Sequence, residues 1–150
     1  MIRHAAPAAL ACLLAACHPG GGEGAGNAHV PGDTSSNEPF QGIAPTEELR
    51  FTGTEPFWGG AVKGTVLTYS TPETPGGETV TVQRFAGRGG LSFSGHFHGD
   101  AFDMMVTGNE CSDGMSDRTY PFTVTLRIGA ETRNGCAWSE QHPFTGPEQP

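Results

Sequence analysis

The chain has 150 residues, with eight Lys and Arg against 16 Asp and Glu, for a formal net charge of −8. So acidic a balance argues against nucleic acid as a partner and against direct docking on anionic lipid. Gly- and Pro-rich stretches at the two ends bound one central region, long enough for a single small domain.

Met1-Ile2-Arg3-His4 carries one firm positive charge and precedes a mostly apolar run, Ala5 to Leu14. That run falls short of the ~20 residues a helix needs to span a bilayer. It ends in Leu14-Ala15-Ala16-Cys17, the arrangement of a bacterial lipoprotein signal. Residues 1–16 are then expected to be removed and Cys17 to carry lipid. The alternative is an ordinary signal peptide cleaved near Ala16. Cys12 is a poorer acceptor, because cleavage there leaves too short an apolar run. His18, not Asp, follows Cys17. By resemblance to lipoprotein sorting, this favours the outer membrane, with the protein facing the periplasm. The lipid bilayer is then a partner through several acyl chains, which anchor firmly where one chain holds only marginally.

Residues 17–45 read as the lipidated Cys and a disordered tether, rich in Gly, Pro, Ser and Asn with no apolar period. Residues 46–140 form the folded domain, and 141–150 read as a loose tail rich in Pro and Gly.

The domain is expected to be all-β. Leu49 to Gly53 opens it, and Trp58 to Val62 pairs through a Lys63-Gly64 turn with Val66 to Tyr69. Thr79 to Arg84, Leu91 to Ser94, Phe102 to Val106 and Phe122 to Ile128 follow, each alternating apolar with polar. Thr132 to Trp138 closes the series, and Gly or Pro punctuates the breaks. Several short strands at regular spacing point to a small antiparallel β-barrel or sandwich with one disulfide. The disulfide follows from cysteine arithmetic. Cys12 leaves with the signal, Cys17 is lipidated, and an exported protein oxidises the remaining two, Cys111 and Cys136. Such a loop closure stabilises by about 3 kcal/mol in the chain-entropy account.

Three stretches carry candidate chemistry. In Thr54-Glu55-Pro56-Phe57-Trp58, Pro56 forces a turn or bulge between strands. Phe57 and Trp58 can plug one barrel end, or Trp58 and Glu55 can build a binding site. In Ser94 to Asp100, His96, His98 and Asp100 alternate, and on a strand one face would present all three to a metal ion. The glycines on either side argue for a turn of solvated histidines instead. No HExxH or similar spacing is present, and no cofactor is expected. The third stretch, Glu110 to Phe122 (ECSDGMSDRTYPF), holds Asp113-Gly114 as a turn pair. Arg118 can pair with Asp113 or Asp117, and Tyr120-Pro121 enters the next strand extended. Ser112 and Ser116 lack a positioned base, and no G-x-S-x-G elbow occurs, which argues against acyl transfer.

FTGTEPFW, LTYSTPE, CSDGMSDRTYPF and NGCA together resemble an uncharacterised family of bacterial envelope proteins with TEPFW, CSDGMSDxxYP and GCA elements. The resemblance covers the folded domain and implies a periplasm-facing β domain, often on a lipoprotein, with no enzymatic activity to carry over. The architecture is also loosely similar to the small lipoprotein inhibitors of c-type lysozyme, although their own motifs are absent. The expected function is therefore a non-enzymatic binding or envelope-maintenance module, with an envelope protein or peptidoglycan as partner. Its contact surface would hold Glu55, Trp58, Asp113, Asp117, Arg118 and Tyr120. Lysozyme inhibition is the second reading, and a metal-dependent enzyme on His96, His98 and Asp100 the third.

Overall fold

A computed structural model describes residues 38–147. The signal (1–16), Cys17 and most of the expected tether lie outside the described residues. Eight strands follow one another: β1 (Leu49–Thr54), β2 (Phe57–Lys63), β3 (Val66–Ser70), β4 (Glu78–Ala86), β5 (Gly90–Phe97), β6 (Asp100–Thr107), β7 (Phe122–Ile128) and β8 (Glu131–Ser139). Each pairs antiparallel with its neighbour in sequence, and β1 also pairs with β8. The sheet is thus a closed up-and-down barrel, and closure leaves no strand edge exposed.

The period-2 alternation decides which way each side chain faces. Phe51, Leu67, Val80, Phe93, Met104 and Leu126 are among the residues buried in the lumen. Each contributes roughly 1.5–3 kcal/mol relative to exposure. The outer wall carries charge, as in the Arg127–Asp103 pair at 2.7 Å across β7 and β6. Apolar inside and polar outside is the reverse of a membrane-spanning barrel.

Aromatic rings fill the upper lumen, the end holding the β1–β2 and β7–β8 turns. Trp58 lies 5.8 Å from Phe51 and 6.3 Å from Tyr69, and Tyr69 meets Phe97 and Phe102 edge-on. The indole occupies space that side chains at positions 53 and 135 would take. A Cβ on either Gly53 or Gly135 would overlap the ring. Only glycine fits at either place, and the Thr52 carbonyl crowds Gly135 as well, which ties FTGTEPFW to NGCA on the adjacent strands β1 and β8. Above the rings, Arg133 donates to the Tyr69 hydroxyl and pairs with Glu131 at 2.9 Å, closing that mouth with a polar group.

Chain outside the strands closes the lower mouth. Ile43 is buried, its carbonyl accepts from Arg84 Nη2 at 2.8 Å, and Phe40 N–H donates to Gly87 O at 2.7 Å. The tether boundary expected at Pro45 therefore moves back, because Phe40 and Ile43 belong to the core. The tail is likewise not loose through Pro147. Thr145 and Thr119 exchange backbone hydrogen bonds, and Phe144 packs on Tyr120 and Trp138. Both corrections have one cause: single anchoring side chains hold these segments, and isolated anchors leave no periodic signal.

Candidate functional corner and trough

The Glu110–Phe122 stretch does not stand away from the barrel. Cys111 is bonded to Cys136 on β8, 25 residues later, and Cys111 and Tyr120 exchange backbone hydrogen bonds of 2.9 and 2.8 Å. The loop between them folds over the outer wall where β8 meets β1. Thr54 Oγ1 on β1 donates to Asp113 O at 3.1 Å.

Asp113 organises this corner. Its carboxylate accepts from Met115 N–H (3.0 Å), Ser116 N–H (2.8 Å), Ser116 Oγ (2.8 Å) and Tyr120 Oη (3.1 Å). Burial alone would raise its pKa. The four donors outweigh burial and hold the carboxyl at about 2. Arg118 does not take the carboxylate partners expected of it. Its Nε donates to Pro147 O at 2.8 Å, and its guanidinium lies 4.5 Å from the centroid of Phe144.

Five of the six residues expected to form a contact surface come to this corner, in different roles. Glu55 and Asp117 are exposed and Arg118 half-buried, whereas Asp113 is spent on internal bonds. Tyr120 is buried, with its hydroxyl on Asp113 and its ring 5.4 Å from Trp138. Trp58 sits behind the wall in the lumen, so it cannot touch a partner. Phe57, expected as a plug, points outward and is 54% exposed. Next to Thr54 in register, it adjoins the corner, where Met115 is also exposed.

His96, His98 and Asp100 do not converge. His96 faces outward from β5, while His98 occupies the turn at φ 51° and bonds Glu78 at 2.7 Å. The Asp100 carboxyl lies against Gly129 in the β7–β8 turn. Among the described residues, no group of three or more His, Cys, Asp and Glu is arranged to hold a metal ion.

Two features escaped sequence reasoning. The first is a cluster at the lower mouth. Ser139 Oγ donates to Glu47 Oε1, His142 Nδ1 lies 3.0 Å from that oxygen, and Ala44 N–H donates to Oε2 at 3.1 Å. Burial would raise the Glu47 pKa, but these bonds prevail and hold it below the usual carboxylate value. Serine, histidine and glutamate meet here, yet not as a catalytic triad. Serine and acid share one ring nitrogen, the hydroxyl is bound to the carboxylate, and Ser139 is buried. The cluster is a latch joining the segment before β1, the end of β8 and the tail. No spacing in the chain could announce it, since Glu47 and His142 are 95 residues apart.

The second is a trough beside the corner. A cavity of about 350 Å³ is lined by Arg50, Trp138, Glu140, Pro143 and Phe144 among others. A second, of about 220 Å³, is lined by Glu48, Lys63 and Gln141 and shares Arg50 and Glu140 with the first.

Comparison with protein-family models, with curated proteins and with solved structures returns no match for the chain.

Proposed function

We propose that the chain is an envelope lipoprotein, anchored through lipid on Cys17 in the outer membrane, whose barrel faces the periplasm and binds a partner without catalysing a reaction. The observation that carries the binding reading is the corner. Asp113, the disulfide and Tyr120 hold its backbone rigid, while Glu55, Phe57, Met115 and Asp117 stay exposed around it. Fixed loops with exposed aromatic and charged groups bind well, because little ordering is lost on contact. A filled lumen directs attention to the outer surface. Two exposed apolar side chains among acids fit a basic envelope protein.

The lipoprotein reading is tested by fractionating cells that express the full chain. Wild type should sediment with membranes, and Cys17→Ala should not. The binding reading is tested with a photoreactive amino acid in the full chain at Phe57 or Met115. Cross-linking to a discrete partner is expected there and not at Phe85, exposed on β4 across the barrel from β8. Equal labelling at all three positions would refute it. The acidic rim also favours a second reading, inhibition of a cationic lysozyme of the c type. Loss of lysozyme activity on adding the protein would support it, and unchanged activity at excess would end it.

A further inference from the structure

The trough described above runs along the β1–β8 seam, aromatic at one end and charged at the other, with Arg50 and Glu140 at the junction. We propose that it is a saccharide site, taking a hexopyranose that carries a carboxylate. The sugar's C–H face lies on Trp138 and Phe144, and its carboxylate meets Arg50 and Lys63. This deepens the binding reading given above and rests on it.

Four observations lead here. The aromatic wall is exposed in part and fixed from behind. Trp138 and Phe144 meet edge-on at 79°, and Tyr120 packs on both at 5.4 and 5.5 Å. Such a wall is set before any ligand arrives. Arg50 lies beside Trp138 in register, and its Nε is held by Glu48 at 3.1 Å. That contact uses Nε alone, and among the described residues neither the terminal nitrogens of Arg50 nor the Lys63 side chain makes an ion pair. Arg50 and Lys63 share this end with Glu47, Glu48 and Glu140, so the lining carries both signs, and the two cations are its contacts for an anionic group. Finally, the wall contributed by the tail is fastened twice, by the latch at His142 and by the Thr119–Thr145 bridge.

A purely apolar ligand would bury Arg50 and Glu140 without partners, at a cost. A purely ionic one would leave the aromatic half unused. An acidic sugar has one apolar face, hydroxyls for Glu140 and Gln141, and an anion for the cations. The larger cavity falls within the ~300–1,000 Å³ range of small-molecule sites.

The test is a titration of the ¹⁵N-labelled full chain in mild detergent with the disaccharide N-acetylglucosaminyl-N-acetylmuramic acid. The chain has two tryptophans, so two indole N–H signals report. The Trp138 signal should move, while that of Trp58, sealed in the lumen, should not. The methyl ester of the same disaccharide should bind at least about fivefold more weakly. Arg50→Gln and Lys63→Gln should each weaken the acid form similarly while leaving Tm unchanged, because both side chains are at the surface. No shift by about 10 mM overturns the proposal, as does an ester or an Arg50→Gln variant that binds equally well. If the sugar fails while cross-linking at Phe57 succeeds, the trough is refuted and the binding module stands. Failure of both refutes both.

Discussion

Gly53 yields its side-chain volume to Trp58, and Gly135 yields its own first to the Thr52 carbonyl and then to Trp58. Gly53→Ala or Gly135→Ala should destabilise by about 1–3 kcal/mol in denaturant unfolding, the usual cost of overpacking. Trp58→Phe in the same chain should recover part of the Gly53→Ala loss and less of the Gly135→Ala loss, where the Thr52 carbonyl is the nearer obstacle, and a double-mutant cycle reads that coupling directly. Several carboxyls titrate low in the fold, Asp103 among them, and Asp113 and Glu47 accept the most hydrogen bonds. Asp113 titrates at about 2 in the fold, against 3.8 for the free group. A depressed pKa stabilises fully above the unfolded value, and that contribution is lost as pH falls through the folded one. Stability should therefore drop between about pH 4 and pH 2. Glu47 acts in the same direction from an ordinary value of 4.5, so its contribution begins to fade at a higher pH. Asp113→Asn should flatten the lower part of the curve and cost roughly 1–3 kcal/mol at neutral pH, since it removes charge-assisted acceptors. An unchanged acid limb in that variant would exclude Asp113 as its source.

At the scale of elements, the strands were legible and the segments that fasten them were not. β7 reads plainly because Phe122, Val124 and Leu126 alternate with Thr123, Thr125 and Arg127, and the pleat turns that pattern into one buried face. The pattern fails at Pro56. There the turn resets the phase, so Phe57 faces out and Trp58 in, and a one-residue shift reverses every assignment that follows. Cysteine counting found the disulfide, and the corner was correctly read as a turn tied to β8. The acidic partners expected for Arg118 were not found, because the tail that actually receives it has no periodic signature. That tail is now testable as structure. Phe144→Ala should cost about 1–2 kcal/mol through lost packing on Trp138 and Tyr120. The same substitution should also expose Trp138 and shift its fluorescence to the red.

For the whole molecule, the question is where a closed barrel opens. β1 and β8 meet over a short ladder, from Leu49 opposite Ser139 to Thr52 opposite Cys136, as short as that of β3 with β4 but with no loop joining the two strands. β5 and β6, by contrast, pair from Gly90 opposite Thr107 to Phe97 opposite Asp100. The non-strand devices gather at the short seam. The disulfide fixes Cys136, Asp113 reaches Thr54 through its carbonyl, the latch joins Glu47 to Ser139, and Phe144 covers Trp138. An up-and-down barrel needs such reinforcement at one place only, because every other strand is tied to its partner by the chain itself. Removing the disulfide as Cys111→Ser/Cys136→Ser should cost about 3 kcal/mol. The loss should not be uniform. In native-state hydrogen exchange, amides of β1 and β8 should lose protection first, while β5, β6 and β7 should keep theirs until global unfolding. Uniform loss would mean that the seam is no weaker than the rest. Selective loss would identify the corner as the clasp that keeps the barrel shut.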